Sequence, residues 1–375
     1  MDHTGTPDVY AALGVRPVLN AATTLTALGG TLLPREVIDA MTSASTSCVS
    51  MDELHLAAGR RLATLTRNEA ALVTSGCASA MVLGVLACVT DGRPELIAQM
   101  HHDNDLARNV VIHCAHRIPY DRAIELAGAR IVQVGNVIQT FTWELEAAMT
   151  ASTAAVFWVA GDHMSSAALT LDETVSIAHA HGVPVIVDAA AQLPPVSNLW
   201  DFTTAHGADL VTFSGGKGLQ GPQASGLMVG RAELIEAARQ NAAPFQRLAR
   251  PMKVGKEEIC GLVAAVERYL SLDHEALWRT WSDTVDQWIA GLTSGARIVV
   301  QRLERNEAGQ PVPRVELCFE DASAASRVAE LLWDDTPRVA VLRVGERLYL
   351  TPDTLPEDTS DLVLDRLNAA IARPG

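Results

Sequence analysis

No stretch of this chain comes near the roughly 20 consecutive apolar residues that a membrane-spanning helix needs. Runs such as Ala70–Val73 and Val183–Val187 are broken within a few residues by polar, glycine or proline positions. The start, Met1-Asp2-His3-Thr4-Gly5, has neither the basic residues nor the apolar stretch of a signal peptide, so no export or membrane partner is expected. Positive charge is scarce. Against 44 Asp and Glu stand 29 Lys and Arg, a net charge of −15, which repels phosphate backbones and makes nucleic acid a poor partner. Cysteine is sparse and scattered, at Cys48, Cys77, Cys88, Cys114, Cys260 and Cys318, with no C-x-x-C pair. That excludes the staple framework of a small secreted domain and reads as reduced thiols in the cytoplasm. Repeats, low-complexity tracts and glycine/serine linkers are missing as well, so the parts of the chain are not tethered loosely. What is present is apolar: 48% of 375 residues, too much for disorder and too long for one compact core.

From Glu69 to Val229 short β-branched runs alternate with helix-length stretches: Ala70–Val73, Val110–Ile112, Arg130–Val134, Ala154–Val159, Val183–Val187, Asp209–Phe213 and Gly226–Val229. Strands apolar on both faces and separated by helices predict an α/β domain with a mostly parallel sheet covered on both sides. Helix starts are marked at Thr142 and Asp172, and a stop at His181-Gly182. After Pro251 the texture changes. A long helical stretch from Lys256 to Leu292 leads to short strands at Arg297–Arg302, Val312–Phe319, Val339–Arg343 and Arg347–Leu350, the pattern of a smaller α+β domain. The division expected is an N-terminal segment over 1–50, a large domain over 51–250 and a small domain over 251–375.

Three segments can carry chemistry. In Phe213-Ser214-Gly215-Gly216-Lys217-Gly218-Leu219-Gln220-Gly221-Pro222 a lysine sits among glycines directly after a buried strand, at the sheet edge where α/β folds bind ligands. Gly216, Gly218 and Gly221 also match G-x-G-x-x-G, but Pro222 and a strand follow where a dinucleotide site needs a helix. Upstream, the strand Val185-Ile186-Val187 ends on Asp188. Alone, Asp188 reads equally as a helix cap; beside Lys217 it reads as a carboxylate meeting a cation or a protonated ring nitrogen. In Leu72-Val73-Thr74-Ser75-Gly76-Cys77-Ala78-Ser79 a strand turns into a helix, and the free N–H groups there suit a phosphate, with Ser75 and Ser79 adding hydroxyls. Cradle, acid and lysine on strand ends of one sheet are the parts of a pyridoxal 5′-phosphate (PLP) site.

With these residues in view the chain resembles fold-type I PLP enzymes, and among them the branch of bacterial selenocysteine synthase and D-glucosaminate-6-phosphate ammonia-lyase. The resemblance runs through Leu19–Gly30, Leu72–Gly76, Val187–Pro195, Ser214–Pro222 and Met252–Glu258, in order along the chain. It implies that Lys217 forms the Schiff base with the cofactor and moves the proton at Cα. Asp188 keeps the pyridine nitrogen protonated. Ser75, Gly76 and Cys77 bind the phosphate with help from Ser214, and Gln192 joins the cofactor shell. His116 is the candidate to stack on the ring, with His113 its competitor; the His113-x-x-His116 spacing lacks the further ligands a metal needs, so no metal is expected. Thr26, Arg343 and Arg347 are candidates for the substrate, the arginines as carboxylate clamps or as outward charges on a solvated strand pair. Arg250, Lys253 and Lys256 stay unassigned between substrate, a neighbouring subunit's cofactor and a basic helix start. The implied activity is α,β-elimination of a small β-hydroxy amino acid or amino-sugar acid to a 2-oxo acid and ammonia. Aldolase, racemase and aminotransferase chemistry and a non-catalytic binding protein remain alternatives, and transfer RNA is disfavoured by the charge and the length. The resemblance also implies a homodimer or larger even assembly.

Overall fold

A computed structural model describes residues 9–100, 106–161, 164, 167–293 and 298–373. The chain divides into two compact units. The smaller comprises Met1–Leu32, Asp273–Asn306 and Pro311–Gly375, the larger Leu33–Leu272 and Glu307–Gln310.

Strand β1 (Val18–Asn20) belongs to the smaller unit. The larger unit holds β2 (Ala70–Thr74), β3 (Asn109–His113), β4 (Arg130–Val134), β5 (Thr153–Val159), β6 (Val185–Asp188), β7 (Leu210–Ser214) and β8 (Gly226–Gly230), in the spatial order β2-β8-β7-β6-β5-β3-β4. Side chains alternate across this sheet as the period of two demands. Val185 and Val187 face one apolar layer with Leu62, Val175 and Leu262, while Ile186 faces the other with Leu83, Leu86 and Ile235. Burial on both faces explains the near-continuous apolar strands. Strand β8 runs antiparallel to both neighbours; the link from Ser214 to Gly226 contains no helix, and a parallel return needs a crossover of a dozen or more residues.

The other strands of the smaller unit are β9 (Ile298–Leu303), β10 (Arg314–Phe319), β11 (Arg338–Ala340), β12 (Leu342–Val344) and β13 (Arg347–Leu350). They form an antiparallel sheet β12-β13-β10-β9 and a parallel pair β1-β11. Val315, Leu317, Leu348 and Leu350 pack with Val285, Trp288, Val328 and Val363 of the helices on one face.

Expectations about individual elements need correction. The helical stretch from Lys256 to Leu292 is two helices, Lys256–Ser271 and His274–Gly291, and the second begins where the Asp273 carboxylate accepts from Ala276 N–H at 2.9 Å. The two compact units part between them, at 272/273, and Ile259, Leu262 and Val266 of the first helix belong to the core of the larger unit, as do residues 33–50 to that unit. The strand expected over Val339–Arg343 is split at Val341 between two sheets. Its second half turns back through Gly345-Glu346, a two-residue hairpin loop in which Gly345 takes φ +59°. Finally, Thr170 rather than Asp172 caps its helix, exchanging hydrogen bonds with Glu173 at 2.9 and 3.3 Å.

Candidate active site

The carboxyl ends of the parallel strands gather the predicted cofactor residues of the larger unit. Asp188 closes β6, in register with Val159 of β5 and Thr212 of β7. Its Oδ1 accepts from Ala190 N–H at 3.0 Å and from the Cys77 thiol at 3.8 Å. Burial pushes the Asp188 carboxyl up, against the pull of the Ala190 N–H, the Lys217 charge and the Cys77 thiol. A carboxylate in such a place calls for a proton-bearing partner.

Lys217 stands in the turn after β7. The turn is closed by Gly215 N–H to Ser225 carbonyl at 2.9 Å, Gly221 N–H to Gly215 carbonyl at 2.7 Å and Gln220 N–H to Lys217 carbonyl at 2.8 Å. Gly218 has to be glycine here, since a Cβ would lie 2.1 Å from the Leu193 carbonyl oxygen. Lys217 is half-buried; its side-chain amine makes no hydrogen bond among the described residues, and its charge acts on Asp188 and Cys77.

The expected phosphate cradle is the start of helix Cys77–Thr90, entered through Gly76 at φ +113°. Its first N–H groups have no intrahelical acceptors, and the helix dipole favours an anion there. Strand β8 passes close behind: a Cβ on Gly226 would sit 2.5 Å from Gly76 C and 2.8 Å from Cys77 N. Ser75 Oγ donates to the Met252 carbonyl at 2.8 Å and lies 3.0 Å from Ser79 Oγ. Ser214, at the end of β7, is partly buried and pairs with Gly226.

Both histidines are fully buried. His116 Nδ1 accepts from Val159 N–H at 3.2 Å, which places the ring proton on Nε2; that nitrogen has no partner among the described residues. Its ring stands edge-on to Trp158, 5.0 Å between centroids, and to His113 at 5.3 Å. His113 Nε2 lies 3.2 Å from Thr174 Oγ1 of the flanking helix. Among the described residues no three His, Cys, Asp or Glu side chains are grouped to hold a metal. Burial lowers His113 to about 4 and His116, also disfavoured by His113, to about 3, from an ordinary 6.5. Below about pH 6.5 the unfolded chain therefore binds more protons than the folded one, and stability falls as the pH drops toward those values, by about 1.4 kcal/mol per unit of separation for each ring. Thermal melting of the apo-protein is expected to decline steeply between about pH 6.5 and about pH 4.5, and less so for His116→Gln; equal slopes for the two proteins would contradict a neutral His116.

The remaining candidates have partners or surroundings of their own. Gln192 spends its amide on the Ala308 carbonyl at 3.0 Å. In the smaller unit Thr26 opens a short 3-10 turn, and Arg343 lines a cavity of about 430 Å³ with Leu25, Leu28, Trp333 and Val341. Arg347 is taken by the buried Glu316 at 3.2 Å, with Glu346 at 3.8 Å; of the two arginines, Arg343 faces the cavity. Thr212 was not among the sequence candidates. A polar residue inside the apolar run Leu210–Phe213 is the signal that marks it.

Lysine turn, buried acid and open helix start on one parallel edge define a fold-type I PLP enzyme. The family model of L-seryl-tRNA selenium transferase (SelA) matches residues 18–285, and the chain belongs to that family. It is 34% identical over 380 residues to a 5′-C-glycyluridine monooxygenase-decarboxylase of a Streptomyces species, covering 98% of this chain and 92% of that one. To D-glucosaminate-6-phosphate ammonia lyase of Salmonella typhimurium it is 33% identical, over 83% of this chain and 82% of the relative. A solved D-glucosaminate-6-phosphate ammonia-lyase superposes with a TM-score of 0.81 at 30% identity, covering 98% of this chain and 99% of that one. A serine palmitoyltransferase carrying PLP shares the fold at TM-score 0.61 and 17% identity, over 94% and 87% of the two chains.

Proposed function

We propose that this protein is a PLP-dependent lyase that eliminates the β-hydroxyl of a small amino acid or amino-sugar acid, releasing ammonia and a 2-oxo acid. The observation that carries this is the Lys217–Asp188 pair at one sheet edge, in a chain related over most of its length to an ammonia lyase. Bound PLP supplies an electron sink for the charge left at the substrate Cα. Lys217 holds the cofactor and carries the proton from Cα at Nζ. Asp188 holds a proton at the ring nitrogen. The N–H groups after Gly76 would bind the phosphate, with Ser75 and Ser214 at its flanks, and His116 is the candidate to stack on the ring. In the smaller unit Arg343 is the candidate for a carboxylate, by the two-pronged grip of a guanidinium. The net charge of −15 argues against transfer RNA as substrate.

The test is the visible spectrum of the purified protein before and after borohydride, then D- and L-β-hydroxy amino acids and amino-sugar acids with ammonia and 2-oxo acid measured. A reducible band with ammonia release is expected; no band after adding PLP would overturn the reading. The Streptomyces relative matches nearly the whole chain and favours a second reading, loss of the substrate carboxylate with dioxygen as co-substrate. Carbon dioxide release that stops under argon, with no ammonia formed from hydroxy substrates, would select it.

The active form in this reading is a cytoplasmic homodimer or larger even assembly. All six cysteines are free, and among the described residues no helix is long and apolar enough to cross a membrane. Gel filtration with activity assays is expected to place all turnover in the assembled fractions; a fully active monomer would refute it.

A further inference from the structure

Asp188 is anchored from one side only. Both of its donors, Ala190 N–H and the Cys77 thiol, reach Oδ1, and Oδ2 makes no hydrogen bond among the described residues. The Cys77 thiol is shared: Sγ lies 3.4 Å from Thr212 Oγ1, whose own proton goes to the Val187 carbonyl at 3.4 Å, so the sulfur is the donor to both oxygens. All three side chains are nearly dry, with Thr212 fully enclosed, Asp188 5% exposed and Cys77 8% exposed. Cys77 is also the first residue of the cradle helix that follows β2, so one side chain ties the helix start to the acid on β6, three strands along the sheet.

We propose that Cys77 is a positioning residue: by dividing one weak donor between Asp188 and Thr212, its thiol turns Oδ2 outward and sets how tightly Asp188 holds the proton of the cofactor's ring nitrogen. This rests on the assignment of Asp188 to that nitrogen made above. A thiol is a poor donor, and each donor on a carboxylate lowers its affinity for a proton. A sulfur in this place therefore leaves Asp188 more basic than a hydroxyl would, while its larger radius spans a gap of 3.8 Å. Burial and the charge of Asp188 both disfavour the thiolate, so the proton stays on sulfur. Among the described residues the titratable groups acting on Asp188 are Cys77 from the helix start and Lys217 from the turn after β7.

The two hydrogen-bond partners give opposite expectations. In Cys77→Ala, Asp188 loses a donor, and the ring nitrogen keeps its proton to a pH higher by about half a unit. In Thr212→Val the whole donor falls to Asp188, and the proton is lost at lower pH. Cys77→Ser restores a donor and moves the value back from that of the alanine variant. The readout is the ¹⁵N resonance of holoprotein reconstituted with ring-¹⁵N PLP, followed against pH, with melting of each apo-protein as a check on folding. Opposite displacements in the alanine and valine variants support the assignment. Equal displacements, or none, overturn it, and if the alanine variant does not fold, an unmoved or upward-moved valine variant does the same. A protein that forms no cofactor band refutes instead the function on which the inference stands.

Discussion

Lys217→Ala is expected to lose the borohydride-reducible band and to drop turnover by about four orders of magnitude or more, because in the proposed reading one amine both attaches the cofactor and moves the Cα proton. The chain has three lysines, Lys217, Lys253 and Lys256, and Lys256 Nζ is engaged by the Ala44 carbonyl at 2.8 Å and by Glu257. The same scarcity makes the result easy to read, since peptide mapping after reduction of the wild-type protein has only three sites to separate. Label on Lys217 alone is the expected outcome; label on Lys253 or Lys256, or turnover in the alanine variant, would move the site elsewhere.

Asp188→Asn is expected to bind PLP and remain folded while kcat falls by about a hundredfold to a thousandfold, the usual cost of removing one charge aimed at a reacting centre. Asparagine keeps the shape of the side chain and an oxygen for Ala190 N–H, but it has no charge to hold a ring proton. Steady-state kinetics beside a PLP titration separate the two effects: a large loss of affinity with unchanged kcat would make Asp188 a structural residue.

The fold of the larger unit was legible because its signals are local. A strand buried on both faces is apolar throughout, and Asp188 and Lys217 stand out at the ends of such strands. Features made by pairing were not legible. Whether Arg347 meets a carboxylate depends on β10 lying beside β13, which sets Glu316 next to it, and nothing in the run Val341–Arg347 encodes that neighbour. The break at Leu272-Asp273 was hidden because the helices on either side are both amphipathic and only two cap residues separate them. Val341 was read through because β-branched residues favour strand whichever sheet they enter. The contact of Cys77 with Asp188 joins residues 111 apart in sequence, which no periodicity reports.

That last separation bears on how the protein matures. The Lys217 turn closes a local hairpin between β7 and β8, whose loop costs little entropy to form. The cradle helix and Asp188 meet only after β2 has been brought to its place beside β8, across a long stretch of chain. The Lys217 turn is thus placed by a contact local in sequence, whereas the meeting of the cradle helix with Asp188 rests on the long-range pairing of β2 with β8.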